Sequence, residues 1–416
     1  MLSRRRCELA LQRAGDSEAA AMITVTAQRA RRESELSDER LRTGRPLSAL
    51  DGLPIVWKDV FDVAGTVTTL GSASRRHGDA ATADGALVRR ASNLGTVTVG
   101  KTNLSEFAFS GLGINRAFGT PVNPIDPGLV PGGSSSGAAV AVATGIAPLA
   151  VGTDTSGSVR VPAAFTGCVG FRASFNRYGR NDFHPLSPAL DTVGVIAKTV
   201  ARILDFDRAL ASDADYVDSP KLRLVVPTGE LIDECSDAVA NAFAAAVDRL
   251  RGAGAVTTAE VPSLRQAQHL LDTHGTIVGA DAYATYRRLL EQPQDIEPAT
   301  RRRLVASARF EHTVDVVRKA MPALRRQFAT ELGGGLLLCP TVRHAPPRIA
   351  DLLTSEQVYD AANASTLRTT MVLSYLGTCG ISLPLGRSPI GMLLSAPFGH
   401  DRRLLTAAMT VQAAIE

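Results

Sequence analysis

The sequence lacks paired cysteines, and this absence excludes two kinds of stabilising site. Its five cysteines lie far apart and show no CxxC or CxxxH spacing. They are Cys7, Cys168, Cys235, Cys339 and Cys379. We therefore expect neither a disulfide framework nor a zinc site, and the cysteine usage fits a protein of the reducing cytoplasm.

Long apolar runs and an excess of one charge are missing as well. The longest uncharged run, between Asp126 and Asp154, contains Pro131 and several glycines, so it predicts a buried turn, helix and turn instead of a membrane span. The 45 basic and 41 acidic residues give a formal net charge of +4. The arginines are spread along the chain, which argues against a nucleic-acid interface. No apolar segment follows the basic residues 1–6, so no secretion signal is expected.

Helix and strand patterns alternate along the chain, which predicts an α/β fold. The predicted strands cover residues 53–58, 96–99, 147–151, 221–227, 336–339 and 381–385. The predicted helices cover residues 17–43, 84–94, 136–144, 238–250 and 401–414. With 45% hydrophobic and 21% charged residues, the chain has the composition of a globular protein with a substantial core.

Three short stretches contain the residues that carry chemistry. Lys58 ends the apolar segment PIVWK, where burial would lower its pKa. The segments PGGSSSG (131–137) and GTDTSGSVR (152–160) combine serine hydroxyls with glycines that expose backbone N–H groups. The second segment leads into a predicted helix with Pro162 in its first turn, so Ser158 is expected at a helix N-terminus, where negative charge is favoured. These are the components of a serine hydrolase whose base is a lysine.

Two other motif matches are rejected on physical grounds. The pattern Gly133-x-Ser135-x-Gly137 matches a nucleophile elbow, but a loop precedes it where a buried strand is required, and no downstream histidine has a suitable context. Residues 95–102, GTVTVGKT, satisfy the expression for a phosphate-binding P-loop. Their central residues alternate valine with threonine and predict a strand in place of a glycine-rich loop, so nucleotide binding is not expected.

Four segments together resemble the amidase signature family in their order and spacing. They are GLPIVWKDVFDVAG, GKTNLSEFA, PGGSSSGAAVAVATG and GTDTSGSVRVPAAFTGCVGF. The 24-residue separation between Ser134 and Ser158 is typical of the family. The likeness includes Leu190-Asp191-Thr192-Val193-Gly194 and covers most of the chain.

The resemblance implies one large α/β domain over residues 1–416, with a central mixed, mostly parallel β-sheet covered by helices on both faces. The catalytic core is expected at about residues 50–200, with C-terminal strands at about 333–416. A mostly helical region at about 205–330 is expected to shape the substrate pocket, and Asn115 and Phe118 are further candidates for its wall.

The resemblance also implies a catalytic triad. Ser158 would be the nucleophile, Ser134 a bridging serine that follows a cis peptide bond from Gly133, and Lys58 the neutral base. Ser135 would support the geometry of this relay. No metal and no organic cofactor are expected.

The turn around the nucleophile is expected to form an oxyanion hole. Its donors would be the backbone N–H groups of Thr155, Ser156, Gly157 and Ser158. Asp154 and Arg160 are interpreted as structural ions that fix the turn. The sequence departs from the family where glycine is usual, at Ser136 and Ser156; Ser156 must either avoid a positive φ or accept some strain.

These expectations lead to an amidase as the first hypothesis. It would hydrolyse a small carboxamide or urea-type amide to a carboxylate and ammonia or an amine. The alternatives are a glutaminase-type subunit of a tRNA-dependent amidotransferase and a catalytically silent interaction protein; the presence of all three catalytic positions argues against the latter. We expect a small-molecule amide as partner, with no nucleic acid and no membrane. The sequence leaves open the physiological amide and a homodimeric state.

Overall fold

The computed structural model describes residues 2–15, 17–179, 182–211, 222–252, 255–292 and 295–416. Within them, eleven strands form one sheet. The strands are β1 Met22–Val25, β2 Pro54–Lys58, β3 Val97–Thr102, β4 Leu149–Asp154, β5 Val169–Arg172, β6 Thr192–Ala197, β7 Arg223–Pro227, β8 Ala255–Ala259, β9 Leu336–Pro340, β10 Cys379–Pro384 and β11 Gly391–Ala396.

The α-helices of the described residues flank this sheet. They are α1 Leu2–Ala14, α2 Ala27–Arg42, α3 Ala86–Asn93, α4 Ser136–Ala143, α5 Arg160–Thr166, α6 Val200–Leu210, α7 Glu230–Asp233, α8 Asp237–Arg251, α9 Pro262–His274, α10 Ile277–Tyr286, α11 Pro298–Ala308, α12 Val314–Leu332, α13 Ile349–Leu352, α14 Glu356–Tyr375 and α15 Asp401–Ile415. None of these helices is both long and apolar enough to span a bilayer.

The strand order is β1-β3-β2-β4-β6-β5-β10-β11-β9-β7-β8. The predicted mixed α/β sheet is confirmed, but its description as mostly parallel is corrected. Four neighbouring pairs are parallel, whereas six are antiparallel. The centre contains strands such as β10 and β11, which are joined by a short turn, and a short turn can join only antiparallel neighbours.

The central strands are buried along their whole length, which shows why helices must cover both faces. Successive side chains of a strand point to opposite faces. On β2, Ile55 and Trp57 pack in one hydrophobic cluster, while Val56 between them packs in another. The same alternation occurs on β4, where Val151 faces the first cluster and Ala150 the second. Each face of the sheet therefore has its own apolar layer.

Most of the predicted elements are confirmed, with one clear error. Residues 17–43 do not form one helix, because Met22–Val25 is an edge strand that pairs antiparallel with β3 before α2 begins at Ala27. The β-branched run from Ile23 to Val25 favours a strand, and pairing with β3 outweighs its helical spacing. The strand predicted at 221–227 is observed over Arg223–Pro227, and residue 221 lies outside the described residues.

Lys101, the lysine of the rejected P-loop match, is a structural residue. It lies within β3, as the strand prediction for this segment implies. Its Nζ is 2.5 Å from Asp59 Oδ1 and donates to Thr68 Oγ1 at 2.7 Å. Both charged side chains are fully buried. The segment thus has no phosphate cradle, and its lysine neutralises a carboxylate next to Lys58.

We expect Lys101→Met to lower the free energy of unfolding by about 3–5 kcal/mol, because it leaves Asp59 buried without its counter-charge. Urea unfolding followed by circular dichroism measures this loss. Lys198→Met, at an exposed position, is the matched control and should change stability by less than about 0.5 kcal/mol. A loss below about 1 kcal/mol for Lys101→Met would contradict the role of the pair.

Candidate active site

The side chains of Lys58 and Ser134 are hydrogen-bonded at the edge of the sheet where β2 and β4 end. Because β2 and β4 are parallel neighbours, Lys58 and Thr153 lie at the same edge, near the ends of their strands. Lys58 Nζ donates to Ser134 Oγ at 2.7 Å and to Thr153 Oγ1 at 3.0 Å. The side chains of Lys58 and Ser134 are fully buried. The structure therefore brings together two of the three residues predicted for the triad.

Burial changes the ionisation of Lys58. Removal from water disfavours the ammonium form and lowers the pKa of Lys58 to about 7, although the carboxylates of Asp191 and Asp154 act in the opposite direction. The direct partners of its amino group are hydroxyl and carbonyl oxygens. A large fraction of Lys58 is consequently neutral near pH 7 and can accept a proton.

The two Gly/Ser segments are joined through their backbones. The Gly133–Ser134 peptide bond is cis, as the resemblance implies. Ser135 N donates to Ser158 O at 3.0 Å, and Ser135 Oγ donates to Thr153 O at 3.4 Å. Ser135 thus links the segment that carries Ser134 to the turn that carries Ser158.

Ser158 borders a cavity, and its hydroxyl is not part of the hydrogen-bonded pair below it. The residue is almost fully buried, with 4% of its surface exposed, and it forms part of the cavity wall. Among the described residues, no hydrogen bond joins Ser158 Oγ to Ser134 Oγ. The relay between these two serines is therefore a step that we propose below.

The turn around Ser158 is built on a buried ion pair. Asp154 Oδ2 accepts from Arg160 Nε at 2.9 Å, and Asp154 Oδ1 accepts from Arg160 Nη2 at 2.9 Å and from Gly157 N at 2.8 Å. Burial alone would raise the pKa of Asp154, but the Arg160 guanidinium holds it well below its usual range. Arg160 also donates to Ser374 Oγ on α14 at 2.8 Å. Neither of these two ions lines the cavity; their hydrogen bonds hold the turn in place.

Two further buried charged residues were missing from the sequence prediction. Arg172, at the end of β5, donates to the carbonyl oxygen of Asp154 and contacts its carboxylate at 3.3 Å. Asp191 accepts from Thr155 Oγ1 at 2.6 Å and from Leu186 N at 2.8 Å; burial raises its pKa to about 6. Asp191 belongs to the LDTVG segment, which resembles the family and could have marked it as a site residue. Arg172 directly follows the segment that ends at Phe171, so no motif pointed to it.

The oxyanion turn needs one correction. Gly157 N–H donates to Asp154, so this N–H is engaged inside the turn and we omit it from the proposed oxyanion hole. Gly157 has φ 134°, whereas Ser156 is not among the described residues with positive φ. Ser156 therefore avoids the strained region. A Cβ at Gly157 would lie 2.2 Å from Thr370 Oγ1, which explains the requirement for glycine at 157.

A cavity of about 220 Å³ opens next to Ser158. Ser156 and Ser158 form one side, and residues of α10, α11 and α14 form much of the other. Its wall includes Phe109, Leu186, Thr276, Arg303, Phe310 and Met371. Asn115, a predicted wall residue, instead donates to the carbonyl oxygens of Gly71 and Leu104. The volume is below the range of about 300–1,000 Å³ typical of drug-sized ligands, so it suits a small substrate.

Neither the cavity beside β7 and β8 nor a metal cluster of the described residues competes with this site. A cavity of about 310 Å³ lies beside the ends of β7 and β8, but no serine or lysine lines it. In the described part of the chain, no group of three or more His, Cys, Asp or Glu side chains is placed to hold a metal ion. The cluster at 58, 134 and 158 therefore remains the candidate active site.

The family described as Amidase matches this chain over residues 7–405. The chain belongs to the amidase signature family. It is accordingly an enzyme, a hydrolase that acts on carbon–nitrogen bonds of amides. The resemblance inferred from the four segments is thereby confirmed.

Individual members of the family show how far the similarity extends. The 2-amino-5-chloromuconic acid deaminase of Comamonas testosteroni is 35% identical over 405 residues, covering 93% of this chain and 87% of the deaminase. A glutamyl-tRNA(Gln) amidotransferase chain of Halorhodospira halophila is 35% identical over 68% of this chain and 62% of its own length. A solved amidase structure with 27% identity superposes with a TM-score of 0.87, covering 100% of this chain and 96% of its own. The family fold thus extends over the whole chain.

We expect the Lys58 amine to titrate with a midpoint near pH 7, because burial destabilises its ammonium form. Heteronuclear NMR of protein labelled at the lysine side chains measures the midpoint, and Lys58→Arg assigns the signal. Thr153→Val should lower the midpoint further, since it removes a hydrogen-bond acceptor of the ammonium group. A midpoint above about pH 9 would contradict the neutral base.

Proposed function

We propose that this enzyme hydrolyses a small carboxamide or urea-type amide to a carboxylate and ammonia or an amine, through an acyl-enzyme on Ser158. The observation that carries the proposal is the buried 2.7 Å hydrogen bond between Lys58 Nζ and Ser134 Oγ. The next residue, Ser135, donates its N–H to the carbonyl oxygen of Ser158, which borders the cavity. A buried amine with a pKa near 7 is a suitable general base at neutral pH.

The first half of the reaction forms the acyl-enzyme. Neutral Lys58 accepts the proton of Ser134 while Ser134 accepts the proton of Ser158, and Ser158 Oγ attacks the amide carbonyl carbon. The negative charge that develops on the carbonyl oxygen is stabilised by the backbone N–H groups of Thr155, Ser156 and Ser158. A donor of this kind contributes on the order of 3 kcal/mol. When the carbon–nitrogen bond breaks, Lys58 returns the proton through Ser134 to the leaving nitrogen, because Ser158 Oγ is by then bonded to the acyl carbon.

The second half releases the acid. A water molecule enters the position of the departed amine and loses its proton to the same relay. Its oxygen attacks the acyl carbon, the bond to Ser158 Oγ breaks, and the relay returns a proton to Ser158. No further group is required to balance the protons, because Lys58 is neutral at the start and at the end.

A glutaminase-type amidotransferase component is the less well supported function. The amidotransferase chain of Halorhodospira halophila aligns with 68% of this chain, whereas the deaminase aligns with 93%. Purification of the chain alone separates the two functions, since a free-standing amidase releases ammonia from an amide without a partner protein.

We expect Ser158→Ala and Lys58→Ala each to lower kcat by at least about 1,000-fold, because residues of one nucleophilic relay act as a unit. Ammonia release from a panel of aliphatic, aryl and urea-type amides measures turnover. Ser136→Ala is the matched control, since the Ser136 hydroxyl is buried without a hydrogen-bond partner and its loss costs little. Near-wild-type turnover by Ser158→Ala would overturn the assignment of the nucleophile.

We expect kcat/KM to fall about tenfold per pH unit below pH 7, because protonated Lys58 cannot accept a proton. Steady-state rates between pH 5 and 9 measure this acid limb. A flat profile over that range would contradict the role of Lys58.

Asp191→Asn separates the titration of Lys58 from that of Asp191, whose pKa is raised to about 6 by burial. The Asp191 carboxylate raises the pKa of Lys58, so its removal should move the acid limb to lower pH. Disappearance of the limb in this variant would assign it to Asp191 instead.

A further inference from the structure

Arg303 brings a positive charge to the wall of the active-site cavity. It lies on α11, and its guanidinium carbon is 4.1 Å above the centre of the Phe109 ring. Both residues line the same cavity as Ser158. Along the described wall, Arg303 is the one cationic side chain. Stacking on the ring fixes the plane of the guanidinium but uses none of its N–H donors.

No hydrogen bond or ion pair joins the guanidinium to another described residue, although the carboxylate of Asp360 lines the same cavity and, against the larger effect of burial, raises the pKa of Arg303 from a distance. Arg303 Nη1 is buried and has no hydrogen-bond partner among the described residues. The nearby carboxylate of Asp360 is occupied by Arg302, which donates to its two oxygens at 3.0 and 3.2 Å. Burial lowers the pKa of Arg303 to about 10, so the group remains charged near neutral pH. A desolvated charge without a partner is costly unless a ligand supplies one.

The neighbouring arginines show that this arrangement is specific to Arg303. Arg302 is engaged by Asp360 and also by Glu356, at 2.7 Å. Arg301 is exposed to solvent. The three successive arginines of α11 thus differ: Arg301 is exposed to water, Arg302 is in an ion pair, and Arg303 lines the cavity.

We propose that Arg303 binds a carboxylate of the substrate, so that the amide hydrolysed at Ser158 belongs to a small molecule with a second, acidic end. This assignment rests on the proposed amidase function. A planar guanidinium matches a carboxylate with two parallel hydrogen bonds, and a single cation is balanced by a single negative charge. The hydroxyl and amide side chains of Thr276, Ser307 and Asn363 border the same cavity and tolerate a polar ligand.

The test compares amides that carry a terminal carboxylate, with chains of three to six carbons, with neutral amides of the same length. Wild type should prefer the acidic member at its best chain length by at least about 30-fold in kcat/KM, the effect of a desolvated charge pair. Arg303→Met should abolish this preference, because its loss of kcat/KM should be at least about 30-fold larger for the acidic amide than for the neutral one. Arg303→Lys should keep part of it, because the charge remains but the planar fork is lost.

Arg301→Met, on the exposed face of the same helix, is the matched control and should leave the preference unchanged. Equal loss of both substrate types in Arg303→Met, or no preference in wild type, would overturn the carboxylate site while the amidase function stands. A thermal unfolding curve like that of wild type shows that the variant is folded.

A binding experiment separates this proposal from the proposed function. Calorimetry with Ser158→Ala measures binding of the acidic amides without turnover, and adding Arg303→Met should weaken it at least about 30-fold. If wild type hydrolyses no amide but this loss of binding occurs, the proposed function fails and the carboxylate site stands. If binding of the acidic amides is unaffected by Arg303→Met, the carboxylate site is wrong.

Discussion

The buried ion pair between Asp154 and Arg160 is the interaction on which the geometry of the candidate active site depends. Asp154 ends β4 and accepts hydrogen bonds from the backbone of Gly157 and the side chain of Arg160. Separating these charges at such depth would cost several kcal/mol, so the chain between them is held as a closed turn. Ser158 lies within that turn. The position of Ser158 therefore follows from a buried charge pair that does not itself line the cavity.

Burial has opposite consequences for the two central charged residues of the site. Asp154 is surrounded by the guanidinium groups of Arg160 and Arg172, so it remains ionised and its pKa stays well below the usual range. Lys58 is equally buried, but the partners of its amine are the hydroxyls of Ser134 and Thr153. Hydroxyls cannot compensate for lost hydration as a counter-ion does. The same environment thus keeps one residue charged and makes the other available as a base.

The sequence allowed good prediction where chemistry and local pattern coincide. The resemblance carried by the lysine and serine segments implies that Lys58 and Ser134 are partners, and the structure places their Nζ and Oγ atoms 2.7 Å apart. The prediction of secondary structure and sheet topology failed where pairing between distant segments determines the structure. β1 is a strand because β3 lies beside it, and antiparallel pairs such as β5–β10 and β9–β11 join strands that are far apart in sequence. Arg172 was not predicted as a site residue for the same reason, because its contact with Asp154 depends on the pairing of β5 with β6 in the sheet.

Most of the cavity wall is separate from the Lys58–Ser134 pair, but helix α14 contacts both the cavity and the turn that carries Ser158. Lys58 and the Ser158 turn are held by the sheet, whereas α11 contributes wall residues to the cavity. Helix α14 also lines the cavity, yet its Thr370 donates to Ser156 O at 2.6 Å and restricts residue 157 to glycine. A change on α14 therefore disturbs the turn as well as the cavity. Since α11 lacks such a contact among the described hydrogen bonds, its wall residues can be changed without moving Ser158.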